Sequence, residues 1–519
     1  MNLARHLMVD LSGPQLTSEE RQFLTDARPG GVCLFGRNIE DPLQVAALVN
    51  ELRELLGRDL LIGIDQEGGG VLRLPQLPHP PGAMALGAAD DPGLTEEVAW
   101  FTGAGLAALG INVDFAPVAD INSNPLNPVI ADRSFGGDPE LVSRHVVAFV
   151  RGLQRAGVTA TAKHFPGHGD TSVDSHLGLP VSERTVEQLL EFELEPFRHA
   201  IGAGCAAIMS AHIVVPELDA ELPVTLSPRG VALLREEFGF DGVLFSDALD
   251  MRAIAYRWGQ ARGAVLALRA GVDMALVTGG TEEHRKVLEE LERAARSGEL
   301  EAKALERSRD RLQRLAQHYA SSSSDSEALA NKLQQLELES FATMERAASG
   351  ALVSLGQLPQ LRPGGRVLVV TSGPARESAA TQSVVDPGWE FVQQLRQAGV
   401  DVRPVRVDSA SPPSAQDILD ETGTDFSACL FVSTSRTRLE ESLVKLGEDL
   451  ANSGVNFLHV ALWNPYSTEL LAGPALLTFG WRKASLQAAV RALMTGGTTA
   501  GRSPIPLATA GGQRTLKGR

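Results

Sequence analysis

The chain has 519 residues and a mass of 55.2 kDa, with 47 basic and 64 acidic side chains and a net charge of −17. Its 43% hydrophobic content, 21% charged content and mean hydropathy of −0.03 describe a globular chain with large cores rather than a disordered one. A pI near 5.2, without clustered Lys or Arg, argues against a nucleic-acid or anionic-membrane binder.

At about 150 residues per domain, the length predicts two to four domains, or one large barrel with a smaller partner. The cysteines Cys33, Cys205 and Cys429 are odd in number and far apart, so neither a disulfide framework nor a CxxC metal site is expected. Reduced thiols suit a cytoplasmic protein. The N-terminus lacks a basic region followed by a long apolar run, so no signal peptide is expected. No stretch reaches the roughly 18–20 apolar residues that cross a bilayer, so no membrane insertion is expected either.

In chain order, eight apolar runs read as strands: 7–11, 31–35, 60–65, 113–117, 158–164, 207–212, 243–247 and 272–277. They are rich in Val, Ile and Leu without polar alternation, the pattern of parallel strands covered on both faces by helices. Between them, residues 138–156 open with Asp138-Pro139, a cap followed by proline at the first helical position. Residues 182–204 space Leu189, Leu190, Phe192, Leu194 and Phe197 at helical intervals, and 281–298 and 300–319 are charged amphipathic helices. This alternation predicts a (β/α)₈ barrel over residues 1–320, with a doubly wound open sheet as the alternative. A serine run and a helical pattern make 321–350 a linker and connecting helix. From Arg366 the β/α rhythm restarts, with strands at 367–371, 400–407, 428–433, 457–463 and 476–479 and helices at 390–398, 439–452 and 485–494. Residues 351–519 are therefore a smaller C-terminal α/β sandwich domain.

Catalytic groups of such barrels sit at the C-terminal ends of strands. The third predicted strand ends in Asp65-Gln66-Glu67, the fifth in Lys163-His164, the sixth in Ser210-Ala211-His212 and the seventh in Ser246-Asp247. One polar strand end is as readily a structural hydrogen bonder; four at one face point to a binding or catalytic site. Asp247 follows an apolar run, which aims its carboxylate at the barrel mouth, although a cap for the next helix is the plain alternative. Asp174 and His176 stand two residues apart in a polar loop, where a carboxylate fixes one imidazole nitrogen and leaves the other for proton transfer. A solvated loop histidine is the alternative there. His164, His168, Asp170 and His176 raise the question of zinc, but their spacing matches neither HExxH nor a structural zinc pattern. No metal and no cofactor are expected.

The block Lys163-His164-Phe165-Pro166-Gly167-His168-Gly169-Asp170-Thr171, the following Asp174-Ser175-His176, and Ser246-Asp247-Ala248-Leu249 resemble the signature of glycoside hydrolase family 3, and within it the β-N-acetylglucosaminidase branch. The resemblance extends over residues 5–316 and more loosely to about 507. It implies a retaining double displacement on a carbohydrate with terminal β-linked GlcNAc, as in peptidoglycan turnover. Asp247 matches the nucleophile, His176 the acid/base and Asp174 its partner. Asp65, Arg133, Lys163 and His164 match substrate-binding positions, with Arg73 a further candidate; ion pairing within the barrel rim is their alternative reading. The sequence departs from the family at Gly70, where an arginine is usual. Residues 122–128 resemble the longer loop of two-domain members. The rival functions are a family 3 β-glucosidase or β-xylosidase, a phosphorylase acting on β-GlcNAc glycosides, and a non-catalytic sugar-binding protein that would need neither Asp247 nor His176.

Overall fold

The computed structural model describes residues 2–171, 175, 178–319, 326–376, 384–435, 439–496 and 499–507. The eight apolar runs of the first half become eight parallel strands: β1 (Leu7–Val9), β2 (Gly31–Leu34), β3 (Leu61–Ile64), β4 (Val113–Asp114), β5 (Thr159–Phe165), β6 (Ala207–Ser210), β7 (Val243–Ser246) and β8 (Ala275–Val277). Each pairs with its sequence neighbour, and β8 returns to β1 in the register Leu7–Ala275. A Phe245–Met274 bridge and the Ser246 N–H donated to Met274 O at 3.0 Å join β7 to β8. The sheet is a barrel, and the open-sheet alternative falls.

Successive side chains alternate between two cores. Met8, Cys33, Leu61, Val113, Met209, Phe245 and Met274 point inward, while Leu7, Val9, Val32, Ile62, Ala160, Ile208 and Leu244 face the helices. At Gly63 an added Cβ would lie 2.8 Å from the Phe115 ring, so glycine makes room for the aromatic pair of Phe115 and Phe245. The helix Ala302–His318 closes the N-terminal end of the barrel with Leu312, Leu315 and Ala316. Asn112 holds it there by donating to Tyr319 O at 3.2 Å.

The helices start as their sequences require. Asp138 Oδ1 accepts from Leu141 N at 2.9 Å and begins Pro139–Arg155. The single helix expected over 182–204 is two, Val186–Glu191 and Glu195–Gly202. Pro196 supplies no N–H and suits the start of a helix, not its interior, so the chain breaks before it.

A second sheet follows, in the order β9 (Val353–Leu355), β14 (Ala475–Leu477), β13 (Phe457–Ala461), β12 (Ala428–Ser433), β10 (Arg366–Thr371), β11 (Asp401–Arg406); only β9 is antiparallel to its neighbour. One face buries Phe391, Leu395, Leu486 and Leu493 of helices Pro387–Gln397 and Lys483–Thr495. The other buries Ile418, Leu419, Leu443 and Leu450 of helices Ala415–Thr422 and Glu441–Asn452. Between the two sheets runs the helix Ser326–Gly350, whose Thr343 donates to Glu97 at 2.6 Å. Met84, Ala85 and Ala88 of the barrel share one buried cluster with Ala351, Val353, Ala461, Tyr466, Phe479 and Ile505. The two units are packed against each other through an apolar interface.

Candidate active site

Asp65 follows β3, and the chain then folds into a short antiparallel hairpin of Gln66–Gly68 with Val71–Leu72. Gln66 closes it: its side chain accepts from Arg73 N and Leu74 N and donates to Leu74 O at 2.9 Å, while its own N–H donates to Asp114 Oδ1 at 3.0 Å. Glu67 and Arg73 are thereby fixed beside Asp65. From β5, Lys163 Nζ reaches Asp65 Oδ1 at 2.8 Å and Glu67 Oε1 at 2.5 Å. Arg73 Nη2 lies 3.2 Å from Asp65 Oδ2. Arg133, from the short 3₁₀ turn after β4, donates to both oxygens of Glu67 at 2.8 Å, a bidentate fork. His164 Nδ1 is 2.7 Å from Asp120 Oδ2, which can only accept; Nδ1 therefore carries the proton, and Nε2 faces Arg133 Nη2 at 3.4 Å. The structure thus brings Asp65, Arg73, Arg133, Lys163 and His164 into one connected network.

The charges of this network hold one another. Burial alone would raise the Asp65 carboxyl, but Lys163 and Arg73 more than offset it and hold it well below the usual carboxylate range. Glu67 is likewise raised by burial and lowered further by Arg133 and Lys163, for a net decrease. Burial works against the Lys163 ammonium, yet Asp65 and Glu67 leave it above its ordinary value. Arg133 is raised in the same way by Glu67 against its own burial. Asp114 behaves differently. Burial pushes it up to about 8, only partly opposed by the Gln66 N–H, and its Oδ2 has no partner among the described residues.

Asp247 stands at the end of β7, half-buried, with its N–H donated to Ser210 O at 3.1 Å and its Oδ1 accepting from Ala248 N at 2.8 Å. It does not cap the next helix, Arg252–Ala255, whose N-cap is Met251. The other polar strand ends are structural. His212 bridges Thr225 Oγ1 at 2.9 Å and Ala248 O at 3.0 Å, and Ser246 Oγ accepts from Leu276 N at 2.9 Å. Asp174 and His176 lie outside the described residues, whereas Ser175 between them is described.

Among the described residues no group of three His, Cys, Asp or Glu side chains has the geometry of a metal site. The His164 and His168 rings are 6.0 Å apart and nearly perpendicular, and their Nδ1 atoms turn to different partners, Asp120 and Thr171. Asp170 is exposed and pairs with Arg184 at 3.0 Å.

Sequence reasoning passed over two members of the network. Glu67 stands in the quoted strand end but was outweighed by Asp65, and its fork to Arg133 is a contact 66 residues away in the chain. Asp120 follows β4, whose end carries a polar residue just as β3 and β5 do; reading that fourth strand end for chemistry would have found it. At Gly70, where the related pattern has arginine, the neighbouring Gly69 carbonyl accepts from Arg482 Nε of the second unit at 2.8 Å. The 122–128 loop also meets that unit, Asn122 Nδ2 donating to Tyr466 Oη at 3.0 Å.

Fold and site together define a barrel enzyme whose mouth presents buried acceptors and donors suited to a hydroxyl-rich substrate. Residues 3–315 match the model of the glycosyl hydrolase family 3 N-terminal domain. The chain belongs to glycosyl hydrolase family 3 and is a glycoside hydrolase. It is 41% identical over 313 residues to a beta-hexosaminidase of Methylococcus capsulatus, an alignment covering 59% of this chain and 93% of that one. A glycoside hydrolase family 3 beta-N-acetylglucosaminidase from Paenibacillus superposes with a TM-score of 0.88 at 34% identity, covering 98% of this chain and 99% of that one. A fungal multi-domain family 3 beta-N-acetylglucosaminidase superposes with a TM-score of 0.90 at 28% identity, over 99% of this chain and 61% of the other.

Proposed function

We propose that the chain is a retaining exo-β-N-acetylglucosaminidase that removes terminal β-linked GlcNAc from saccharides, cell-wall fragments among them, in the cytoplasm. The observation that carries the proposal is the buried network of Asp65, Glu67, Lys163, Arg133 and His164 at the barrel mouth, on the same face as Asp247. It is supported by similarity to a beta-hexosaminidase and a beta-N-acetylglucosaminidase.

In this reading Asp65 accepts from sugar hydroxyls, while Lys163 and Arg133 donate to hydroxyl or carbonyl oxygens, each held in place by its ion pairs before substrate arrives. Arg73 keeps Asp65 ionised and oriented, and His164 extends the donor surface. The Asp247 carboxylate attacks the anomeric carbon as His176 gives its proton to the departing glycosidic oxygen. A glycosyl ester forms and the aglycone leaves. Water then attacks the same carbon, His176 takes its proton, and Asp247 is released as carboxylate. Asp174 fixes the His176 tautomer. A histidine serves here because its ordinary pKa, near 6.5, lets it give and take a proton close to neutrality.

Four measurements test the proposal. The p-nitrophenyl β-GlcNAc glycoside is turned over in preference to the β-glucoside and β-xyloside, and a 5-fluoro glycosyl donor labels Asp247; label on another carboxylate removes that assignment. His176→Ala loses kcat/KM far more for a GlcNAc disaccharide than for a dinitrophenyl glycoside, with azide rescuing the second step. The product is free sugar whether or not phosphate is present; a sugar phosphate would make the enzyme a phosphorylase.

A further inference from the structure

The loop after β5 carries a buried histidine that the mechanism does not use. His168 is 2% exposed and sits at the centre of a set of short contacts. Its backbone N–H donates to Asp120 Oδ1 at 2.7 Å, and its carbonyl accepts from Asn127 Nδ2 at 2.7 Å. Its ring meets Thr171 Oγ1 through Nδ1 at 2.6 Å and Ser175 Oγ through Nε2 at 3.1 Å.

Proton counting fixes the direction of these bonds. Thr171 Oγ1 donates its only proton to His168 O at 2.9 Å, so toward the ring it can only accept. Nδ1 therefore carries the ring proton, Nε2 is the bare nitrogen, and Ser175 Oγ–H donates to it. The ring is neutral in this arrangement. Burial pushes His168 down to about 4, against the pull of Asp120, which keeps it neutral across the working range. Asn127 grips the same turn, donating also to Gly169 O at 3.1 Å and Thr171 O at 3.0 Å. On its far side Ser175 O accepts from Ala253 N at 3.3 Å, in the segment after β7. Ser175 is thus held from both sides, and in the chain it stands between Asp174 and His176.

We infer that His168 is a positioning residue for the acid/base: through its bond from Ser175 it holds the residue that stands between Asp174 and His176 in the chain. This rests on the reading of His176 as the acid/base. His168 itself touches no reacting atom. Its anchor, Asp120, also holds His164, so one buried carboxylate holds both the sugar-binding histidine and the backbone of His168.

The test is a set of variants assayed on a GlcNAc disaccharide and on a dinitrophenyl glycoside of the same sugar. Ser175→Ala removes the donor with little change in volume. It lowers kcat/KM for the disaccharide roughly tenfold, the worth of about one hydrogen bond, and for the activated glycoside less than twofold. His168→Asn keeps a partner for Thr171 but not for Ser175 and matches Ser175→Ala. His168→Gln, whose amide reaches the Nε2 position, restores most of the loss. The double variant H168N/S175A loses no more than either single one, because both act through one bond. Equal losses on the two substrates, or additive losses in the double variant, overturn the inference. His176→Ala run alongside separates the two levels. If it lacks the leaving-group contrast, the reading of His176 falls and this inference with it. If it shows the contrast and Ser175→Ala does not, only the role of His168 falls.

Discussion

Replacing Lys163 with Met removes a charge while nearly preserving shape, and tests how the network at the barrel mouth is held. Lys163 is 2% exposed, and its ammonium is shared between Asp65 at 2.8 Å and Glu67 at 2.5 Å. Deleting one partner of a buried ion pair typically costs 3–5 kcal/mol, because the other charge stays buried and underpaired. Here Glu67 keeps its two bonds from Arg133 and Asp65 keeps Arg73 at 3.2 Å, so the loss falls at the low end, about 3 kcal/mol. At roughly 2 °C per kcal/mol for a large unit, that is a fall of roughly 6 °C in apparent Tm at pH 7. The pH dependence follows from the sign of the shifts. Asp65 and Glu67 lie below their ordinary values in the folded chain, so they contribute stability above about pH 4 that is lost on acidification. The gap between parent and variant is therefore widest near neutrality and narrows only as the pH falls below about 4, toward the lowered folded values. Thermal unfolding of both proteins across a series from pH 7 down to about pH 3 measures it. An unchanged Tm at pH 7, or a gap that widens in acid, refutes the idea that Lys163 holds these carboxylates.

Asp114→Asn probes the opposite case. The parent carboxyl, raised to about 8, contributes stability that is present in acid and lost between roughly pH 4 and 8, whereas the amide has no such slope; urea midpoints at pH 4.5 and 7.5 that change equally in both proteins would dispose of this. Arg482→Ala breaks the bond to Gly69 O and a stack on Trp481 at 4.0 Å, and a charge-assisted bond is worth roughly 1.5–3 kcal/mol, so apparent Tm falls by several degrees and KM rises. An Arg482→Ala enzyme with parental Tm and KM would show that the second unit does not support the site hairpin. Prolonged chelator treatment leaves the rate unchanged; a loss reversed by zinc would restore the metal reading of the histidines.

The barrel was legible because its strands are buried on both faces, which leaves runs such as Val32–Leu34 and Ile62–Ile64 apolar without interruption. The Gln66–Leu72 hairpin was not, since its closure depends on one glutamine side chain bonding to backbone that no periodicity marks. The break before Pro196 is hidden in the sequence because the apolar spacing of 182–204 continues on both sides of it. In the site, each of Asp65, Lys163 and Arg133 was readable as a residue. Their partners were not, because the Glu67–Arg133 and Asp120–His164 pairs join different strand ends across 66 and 44 residues.

The apolar seam between the two units has a bearing on how this enzyme can be cut. The Methylococcus capsulatus relative is aligned over 93% of its own length while matching 59% of this chain, a stretch of 313 residues, so nearly the whole of that protein corresponds to little more than half of this one. Copying that economy here, by ending the chain after the helix Ala302–His318, would leave Met84, Ala85 and Ala88 facing water and take away the donors from Arg482 and Arg502. The barrel of this chain shares its apolar seam and two backbone acceptors with the second unit. Shortening it to the compact form would require re-dressing that seam with polar side chains as well as removing residues.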